Sequence, residues 1–345
     1  MTEYKKWCKL TLIITVIGLM AIAGFNMFID PFFHYHKPYS WISYSFGNQN
    51  YVNSGIVRQF DYDTLITGTS MTENFRPSLF HEVLGDQAVK VPFSGGQSRN
   101  FKILIDTALK TNPEIKRIYM GLDLNMLDDE NPGQPREPFP AYLYDNNPFT
   151  DVSYLLNKTV LIQNTGTFLV DTIQGISSDT FDDYSFWRGS DDELGRFVET
   201  FDFDRQIDSL PRDELLALAR EHLELNVIPL VESHPDVEFV LFFPPYSILY
   251  WYDKELEDIM AVLEYAIETL IFYDNVRLYL PMNNADIVTN LNNYRDAGHY
   301  SPAISDYLVY CFREGTHLLT VENYEGELRK LVELVEGFDY SAYYQ

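Results

Sequence analysis

One serine and one short loop carry the residue types that nucleophilic catalysis requires. Ser70 directly follows an apolar run that ends in Gly-Thr, so its hydroxyl would be exposed beside helix-start N–H groups. Asp296 and His299 form an Asp-Ala-Gly-His loop before the last predicted helix. His299 can act as general base for Ser70, and Asp296 can hold the imidazole tautomer. The alternatives are a helix N-cap at Ser70 and a plain turn at the loop.

Two further positions could stabilise a tetrahedral oxyanion. Gly95 and Gly96 end the second apolar run, where a glycine lets a backbone N–H approach a substrate oxygen closely. Asn125 ends the third run, and its side-chain amide could complete an oxyanion hole. Asp123 is the alternative polar group at that edge, and simple helix-start or capping roles are the other interpretations of these residues.

Short apolar segments alternate with helical patterns on both sides of residues 127–235. The predicted strands are 63–68, 88–96, 117–125, 237–245 and 276–281, and the predicted helices are 70–85, 98–113, 255–270 and 302–312. This alternation predicts an α/β fold, a three-layer α/β/α sandwich whose parallel sheet binds ligands at the carboxyl ends of its strands. Between residues 127 and 235 the alternation stops except for one helix at 212–225, which predicts an insertion that forms a lid or side wall.

In combination, these motifs resemble those of the SGNH/GDSL hydrolases. That family has a serine after the first strand, a glycine after the next, an asparagine after the third and Asp-x-x-His near the C-terminus. The candidates named above fall in that order, and the resemblance spans about residues 60–315 apart from the insertion. Two motifs depart from the family: Gly-Thr-Ser replaces Gly-Asp-Ser, and Gly-Leu-Asp-Leu-Asn replaces Gly-x-Asn-Asp.

Within the family, the segment GTSMTENF is most similar to membrane-anchored extracytoplasmic proteins that work with membrane-bound O-acyltransferases. Examples act in alginate O-acetylation and teichoic-acid D-alanylation. The resemblance implies transfer of an O-acetyl or similar group onto a cell-surface or secreted polysaccharide, with a membrane-bound O-acyltransferase as donor and no cofactor. A carbohydrate esterase is the first alternative. A non-catalytic scaffold that binds polysaccharide or an acyltransferase is the second.

The N-terminus predicts a membrane anchor. Three lysines precede an uncharged run at residues 10–29, which as a helix would span ~30 Å, the thickness of a bilayer core. Basic flanks stay cytoplasmic, so the remaining chain should be extracytoplasmic. The alternative is a signal peptide cleaved after Ala21-Ile22-Ala23. We therefore expect a single-pass anchor in residues 1–30, a juxtamembrane lead-in at 31–60 and an SGNH-like domain at 61–345.

The amino-acid composition excludes or disfavours several classes of protein. The 345 residues include 51 acidic and 25 basic side chains, a net charge of −26, and 46% hydrophobic residues. The apolar fraction excludes a disordered chain, and the charge argues against a nucleic-acid binder and weakly favours a neutral acceptor. Two cysteines, Cys8 and Cys311, are too few for a disulfide scaffold, so we expect free thiols.

Three other groups have a functional and a structural interpretation. His34 and His36 beside Asp30 could hold a metal, although juxtamembrane packing is favoured. An acidic group could bind Ca²⁺, but its spacing does not match an EF-hand and a solvated face is favoured: Asp179, Asp182, Asp183, Asp191, Asp192 and Glu193. An aromatic run could stack sugars or could simply pack in the core or lid: Tyr246, Tyr250, Trp251 and Tyr252.

Overall fold

A five-stranded parallel sheet organises the chain, as the strand–helix alternation predicts. The structure, a computed structural model, describes residues 2–187, 193–204 and 210–343. The strands are β1 (Thr64–Thr67), β2 (Ala88–Lys90), β3 (Arg117–Gly121), β4 (Glu238–Phe242) and β5 (Val276–Tyr279). Their order in the sheet is β2-β1-β3-β4-β5, and every neighbouring pair is parallel. The α/β class with a parallel sheet is therefore confirmed.

Helices follow the strands in the predicted order, but the helix predicted at 70–85 is shorter: residues 70–72 form a 3₁₀ turn and the α-helix begins at Pro77. The helices described are α1 (Thr2–Ile29), α2 (Gln49–Gln59), α3 (Pro77–Leu84), α4 (Ser98–Thr111), α5 (Val152–Leu155), α6 (Gly166–Gln174), α7 (Arg212–His222), α8 (Ile228–Ser233), α9 (Leu256–Leu270), α10 (Ala285–Val288), α11 (Pro302–Glu314) and α12 (Tyr324–Glu336). Around the sheet, α3 packs against α11, whereas α4 packs against α8 and α7 against α9. These are the two helical groups that a sheet covered on both faces requires.

Aromatic side chains fill the space between the sheet and the α3–α11 group. Tyr119 of β3 and Phe242 of β4 lie with ring centroids 5.2 and 5.5 Å from Phe312 of α11, and Phe80 of α3 lies 4.8 Å from Tyr119. Tyr119 and Phe242 share a face because they are two positions apart in the β3–β4 register. This packing fixes the carboxyl ends of β1, β3 and β4, where the chain order reverses between β1 and β3 and a crevice opens.

The chain divides into two compact units. One contains residues 1–60 and 138–180, and the other contains 61–137 and 181–345. The predicted insertion at 127–235 is thus divided between the units, and the predicted domain limits stay a prediction. Helices α2, α5 and α6 lie in segments where the sequence shows little periodicity, which is why no helix was predicted there.

In the first unit, α1 is long and apolar enough to cross a membrane, with a mean hydropathy of 2.3 over an 18-residue stretch of residues 3–29. The turn after it is organised by Asp30, whose buried carboxylate accepts the N–H groups of His34, Tyr35 and His36 at 2.7–3.0 Å. His34 Nε2 lies 3.3 Å from Asp151 Oδ1. Among the residues described, no group of three or more His, Cys, Asp or Glu is placed to hold a metal.

Candidate active site

Ser70, His299 and Asp296 meet at the carboxyl end of the sheet. Ser70 Oγ lies 2.8 Å from His299 Nε2, and His299 Nδ1 lies 2.7 Å from Asp296 Oδ2. A carboxylate only accepts, so Nδ1 carries the proton and Nε2 is free to accept the proton of Ser70. Although 229 residues separate the serine from the histidine, the fold arranges a nucleophile, a base and an orienting carboxylate in series.

The turn after β1 leaves the Ser70 hydroxyl free for this contact. Gly68 has φ +145°, and a Cβ there would lie 2.6 Å from Thr72 Cγ2, so the turn requires glycine. The helix-capping role falls to Thr69, whose Oγ1 accepts the Met71 N–H at 3.3 Å. Ser70 is the first residue of the short 3₁₀ turn that follows and does not cap it.

The loop that carries His299 is held by its own aspartate. Asp296 Oδ1 accepts the N–H groups of Gly298 at 2.9 Å and His299 at 2.8 Å, while Oδ2 contacts the imidazole. An antiparallel bridge between Tyr294 and Tyr300 closes the loop. Tyr300 also donates its hydroxyl to the Met71 carbonyl at 2.5 Å, which fixes the loop to the turn that presents Ser70.

The contact between His299 and Asp296 shifts the pKa values of both side chains. Burial alone would lower the pKa of His299, but the hydrogen bond and the charge of Asp296, with the charges of Asp123 and Glu73, raise it above its ordinary value. Burial alone would raise the pKa of Asp296, yet His299 and two backbone N–H groups lower it. Asp296 is therefore ionised at neutral pH, and His299 becomes a stronger base than a free imidazole.

Gly95, and not Gly96, presents an available N–H beside the serine. Gly96 donates its N–H to the Phe93 carbonyl at 2.8 Å, which closes a turn in which Gly95 has φ +61°. In the described part of the chain, the N–H groups of Ser70 and Gly95 have no hydrogen-bond partner. Arg136 Nη1 donates to the Gly95 carbonyl at 2.7 Å and so fixes the turn from outside.

Asp123 and Asn125 have different roles at the end of β3, since Asp123 accepts buried hydroxyl groups and Asn125 faces the solvent. Asp123 is buried and accepts the hydroxyls of Thr69 at 2.8 Å and Tyr246 at 2.6 Å. Asn125 is exposed, and its Oδ1 lies 3.4 Å from the hydroxyl of Tyr250. No partner of its Nδ2 occurs among the described residues, so that amide can donate to a ligand.

These groups line one cavity of about 370 Å³, which we call the serine cavity. Its walls include every sequence-predicted site residue: Ser70, Gly95, Gly96, Asn125, Asp296 and His299. Thr69, Met71, Gln97, Asp123, Met126, Arg136, Tyr246, Tyr250 and Gly298 complete the lining. Because Ser70 and His299 are only partly buried, the reactive hydroxyl is open to a ligand from solvent.

Trp187 and Glu73 support His299 and were not anticipated from the sequence. The Trp187 ring lies edge-on to the imidazole with centroids 4.9 Å apart, and its indole N–H donates to the buried Glu73 carboxylate. Ser94 donates to the same carboxylate. These residues come from segments far apart in sequence, and no local spacing signals the contact. Glu73 lies three residues after Ser70 and Ser94 directly precedes Gly95, whereas Trp187 lies far in sequence from every predicted site residue.

The aromatic run, the acidic group and the two cysteines mostly make contacts that stabilise the fold. Tyr246 and Trp251 are buried, so the aromatic run does not form an exposed platform, although Tyr246 and Tyr250 both line the serine cavity. In the acidic group, Asp182 accepts the Ser78 N–H at 3.0 Å, and Asp191 and Asp192 lie outside the described residues. Both cysteines are free thiols, Cys8 exposed and Cys311 buried.

A second serine–histidine pair lies nearby in the same unit. Ser98 Oγ is 2.6 Å from His222 Nδ1, and the far nitrogen of His222 donates to the Asp129 carbonyl at 2.8 Å. Asn226 Nδ2 donates to Ser98 Oγ at 2.8 Å. Both members of the pair are buried, and neither lines the serine cavity.

Comparison with known proteins leaves the family open. No protein-family model matches the chain, and no curated protein matches it. Among solved structures, it is similar to a protein from Streptococcus pneumonia that is provisionally described as a platelet activating factor, with a TM-score of 0.40 and 12% identity. The match covers 77% of this chain and 90% of that one.

Proposed function

We propose that the protein is an acyl-ester enzyme that works through a Ser70 nucleophile, His299 as general base and Asp296 as its orienting carboxylate. The observation that carries the proposal is the chain of contacts at 2.8 and 2.7 Å from Ser70 Oγ to Asp296 Oδ2. It lies in an open cavity beside the N–H groups of Ser70 and Gly95, which have no partner among the described residues. A serine–histidine–aspartate chain that served only to stabilise the fold would need neither an open cavity nor available N–H groups beside the serine.

In the first half-reaction, Ser70 Oγ forms a bond to the ester carbonyl carbon while His299 Nε2 accepts the hydroxyl proton. The carbonyl oxygen gains negative charge, and the N–H groups of Ser70 and Gly95 with Asn125 Nδ2 donate to it. The bond from carbon to the alcohol oxygen then breaks, and His299 returns its proton to the leaving alcohol. The products are a Ser70 acyl-enzyme and a free alcohol.

In the second half-reaction, an acceptor hydroxyl attacks the acyl-enzyme. His299 takes the acceptor's proton and later gives it to Ser70 Oγ, so the free enzyme returns and the acyl group lies on the acceptor. With water as acceptor, the same steps give a carboxylic acid. The charge of Asp296 stabilises the imidazolium that forms in each half-reaction.

For the physiological reaction we favour transfer of a short acyl group, such as O-acetyl, onto a cell-surface or secreted polysaccharide. The length and hydropathy of α1 support a single-pass anchor. The three lysines that precede its apolar run support a sheet unit outside the cytoplasm. The resemblance of the site motifs to membrane-anchored SGNH proteins supports a membrane-bound O-acyltransferase as the donor.

A carbohydrate esterase is the second candidate. It is favoured by the partial exposure of Ser70 and His299, because an open cavity lets water compete with a hydroxyl acceptor at the acyl-enzyme. The chemistry up to the acyl-enzyme is the same for both candidates, and only the second half-reaction separates them.

The test uses the full chain purified in detergent, with p-nitrophenyl acetate as donor and neutral oligosaccharides as acceptors. Release of p-nitrophenol that is lost in Ser70→Ala establishes the acyl-enzyme half-reaction. Acylated oligosaccharide, measured by mass spectrometry, identifies transfer, whereas acetate alone identifies hydrolysis. A Ser98→Ala variant serves as the matched control, since its serine also contacts a histidine. Equal release by wild type and Ser70→Ala would overturn the proposal and leave a binding scaffold.

A further inference from the structure

A second cavity lies directly against the serine cavity. It has a volume of about 130 Å³, and we call it the side cavity. Asn125 and Tyr250 line both cavities and therefore form their common wall. In the described part of the chain, six aliphatic side chains make up most of the remaining lining: Leu124, Leu127, Leu210, Leu215, Ile259 and Val262. Asp128 and Lys254 complete it, so the cavity has one charged border beside its aliphatic wall.

The common wall is held in place. Tyr250 stacks on Tyr246 with ring centroids 4.0 Å apart and an interplanar angle of 16°, and Tyr246 is itself fixed by Asp123 at 2.6 Å. The Lys254 ammonium lies 5.3 Å from the centroid of the Tyr250 ring. A wall with so many contacts sets a defined size limit for a group that passes from the serine cavity into the side cavity.

The position of the side cavity indicates whether it could hold the acyl part or the alcohol part of an ester. The leaving alcohol must lie within reach of His299 Nε2 to receive its proton. The side cavity is lined by no residue of the 296–299 loop and not by Ser70, and it adjoins the oxyanion side through Asn125. A group in it would therefore extend from the carbonyl carbon away from His299, as the acyl chain does.

We infer that the side cavity binds the alkyl part of the acyl group, and that the preferred substrates are esters of acids longer than acetic acid. This inference rests on the proposed function and, among the short acyl groups named there, favours chains longer than acetyl over acetyl itself. An apolar cavity of about 150 Å³ holds one benzene molecule, so 130 Å³ suits an alkyl chain of about four to six carbons. Burial of each methylene contributes about a fourfold gain in affinity or rate.

The first test measures kcat/KM of the full chain for p-nitrophenyl esters from acetyl to decanoyl. We expect a maximum between butanoyl and hexanoyl, about tenfold or more above acetyl, with a decline for longer chains. Ile259→Trp should fill the cavity and reduce the maximum to the acetyl level, and Tyr250→Ala should move it to longer chains. Leu225→Trp is the matched control, because Leu225 is exposed and lines neither cavity.

The outcomes separate this inference from the proposed function. Turnover that depends on Ser70 but falls steadily from acetyl, and is the same in Ile259→Trp, retains the function and overturns the side cavity as an acyl site. If no ester is turned over, the function fails and 1-hexanol binding is measured by saturation-transfer NMR. Hexanol contacts that vanish in Ile259→Trp but persist in Leu225→Trp would still support an alkyl site, and their absence would overturn it.

Discussion

The two serine–histidine pairs of the sheet unit have similar distances but very different surroundings. Ser70–His299 and Ser98–His222 are hydrogen-bonded at 2.8 and 2.6 Å. In the first pair, the far imidazole nitrogen donates to a carboxylate, and the histidine pKa is raised. In the second, it donates to a backbone carbonyl, and burial lowers the pKa of His222.

The difference shows that a short serine–histidine distance does not by itself make a nucleophile. A carboxylate stabilises the imidazolium that forms when the serine proton is transferred, whereas a neutral carbonyl does so much less. Ser98 also accepts a hydrogen bond from Asn226 and is closed to ligands, so its role is to join the start of α4 to the end of α7. The first pair is suited to chemistry and the second to packing.

The largest expected effect is that of Ser70→Ala. Removing the nucleophile should lower kcat for p-nitrophenyl acetate by about 10⁴-fold or more, while Ser98→Ala should retain wild-type kcat per folded molecule. Steady-state kinetics on both variants, with active-site titration, measures the contrast. Comparable losses in the two variants would mean that the pairs do not differ in function.

Asp296→Asn should lower kcat by about 10³- to 10⁴-fold, because the amide favours the wrong imidazole tautomer. The pH profile gives a second readout. His299 must be neutral to act as base, so kcat/KM falls as the pH drops through its raised pKa. Without the carboxylate that pKa falls, and the acidic limb should move to lower pH. A limb that stays in place in Asp296→Asn would assign the titration to another group.

Asn125→Ala should lower kcat by about 10²-fold if its Nδ2 donates to the oxyanion. Asn125→Asp, which removes the donor but keeps the size, should show a loss at least as large. An Asn125→Ala variant with wild-type kcat would shift the oxyanion role to the N–H groups of Ser70 and Gly95 alone.

The smallest effect on activity is expected for Ser98→Ala, and here stability is the informative measurement. The substitution leaves His222 Nδ1 without its buried donor and removes one of the two acceptors of Asn226 Nδ2, which keeps the Pro132 carbonyl. This should lower the free energy of unfolding by about 1–3 kcal/mol. Urea denaturation followed by tryptophan fluorescence measures it. An unchanged midpoint would show that the second pair is not a packing element.

The catalytic candidates could be predicted because each follows a strong local pattern. Ser70 and Gly95 come three and five residues after the ends of β1 and β2. Asp296 and His299 are only three residues apart, so their mutual hydrogen bonds are formed within one loop. The strands were also predicted in order, since each is a short buried run between helical patterns.

The supporting contacts could not be predicted in the same way. Trp187 reaches Glu73 across 114 residues, and Tyr246 reaches Asp123 across 123 residues, so only the folded chain brings them together. Whether Gly95 or Gly96 presents a free N–H depends on the turn closed by Phe93. The Ser98–His222 pair had no sequence signal, because a lone histidine at a helix end has many structural roles.

The most direct test of Ser70 as an activated nucleophile is labelling of the full chain by a fluorophosphonate, which bonds covalently to an activated serine. The modified peptide is mapped by mass spectrometry. Ser70→Ala, His299→Ala and Ser98→Ala are treated in parallel. We expect one adduct, on Ser70, lost in the first two variants and retained in Ser98→Ala. A folded wild type with no adduct, or with an adduct on Ser98, would contradict the proposal that Ser70 is the nucleophile.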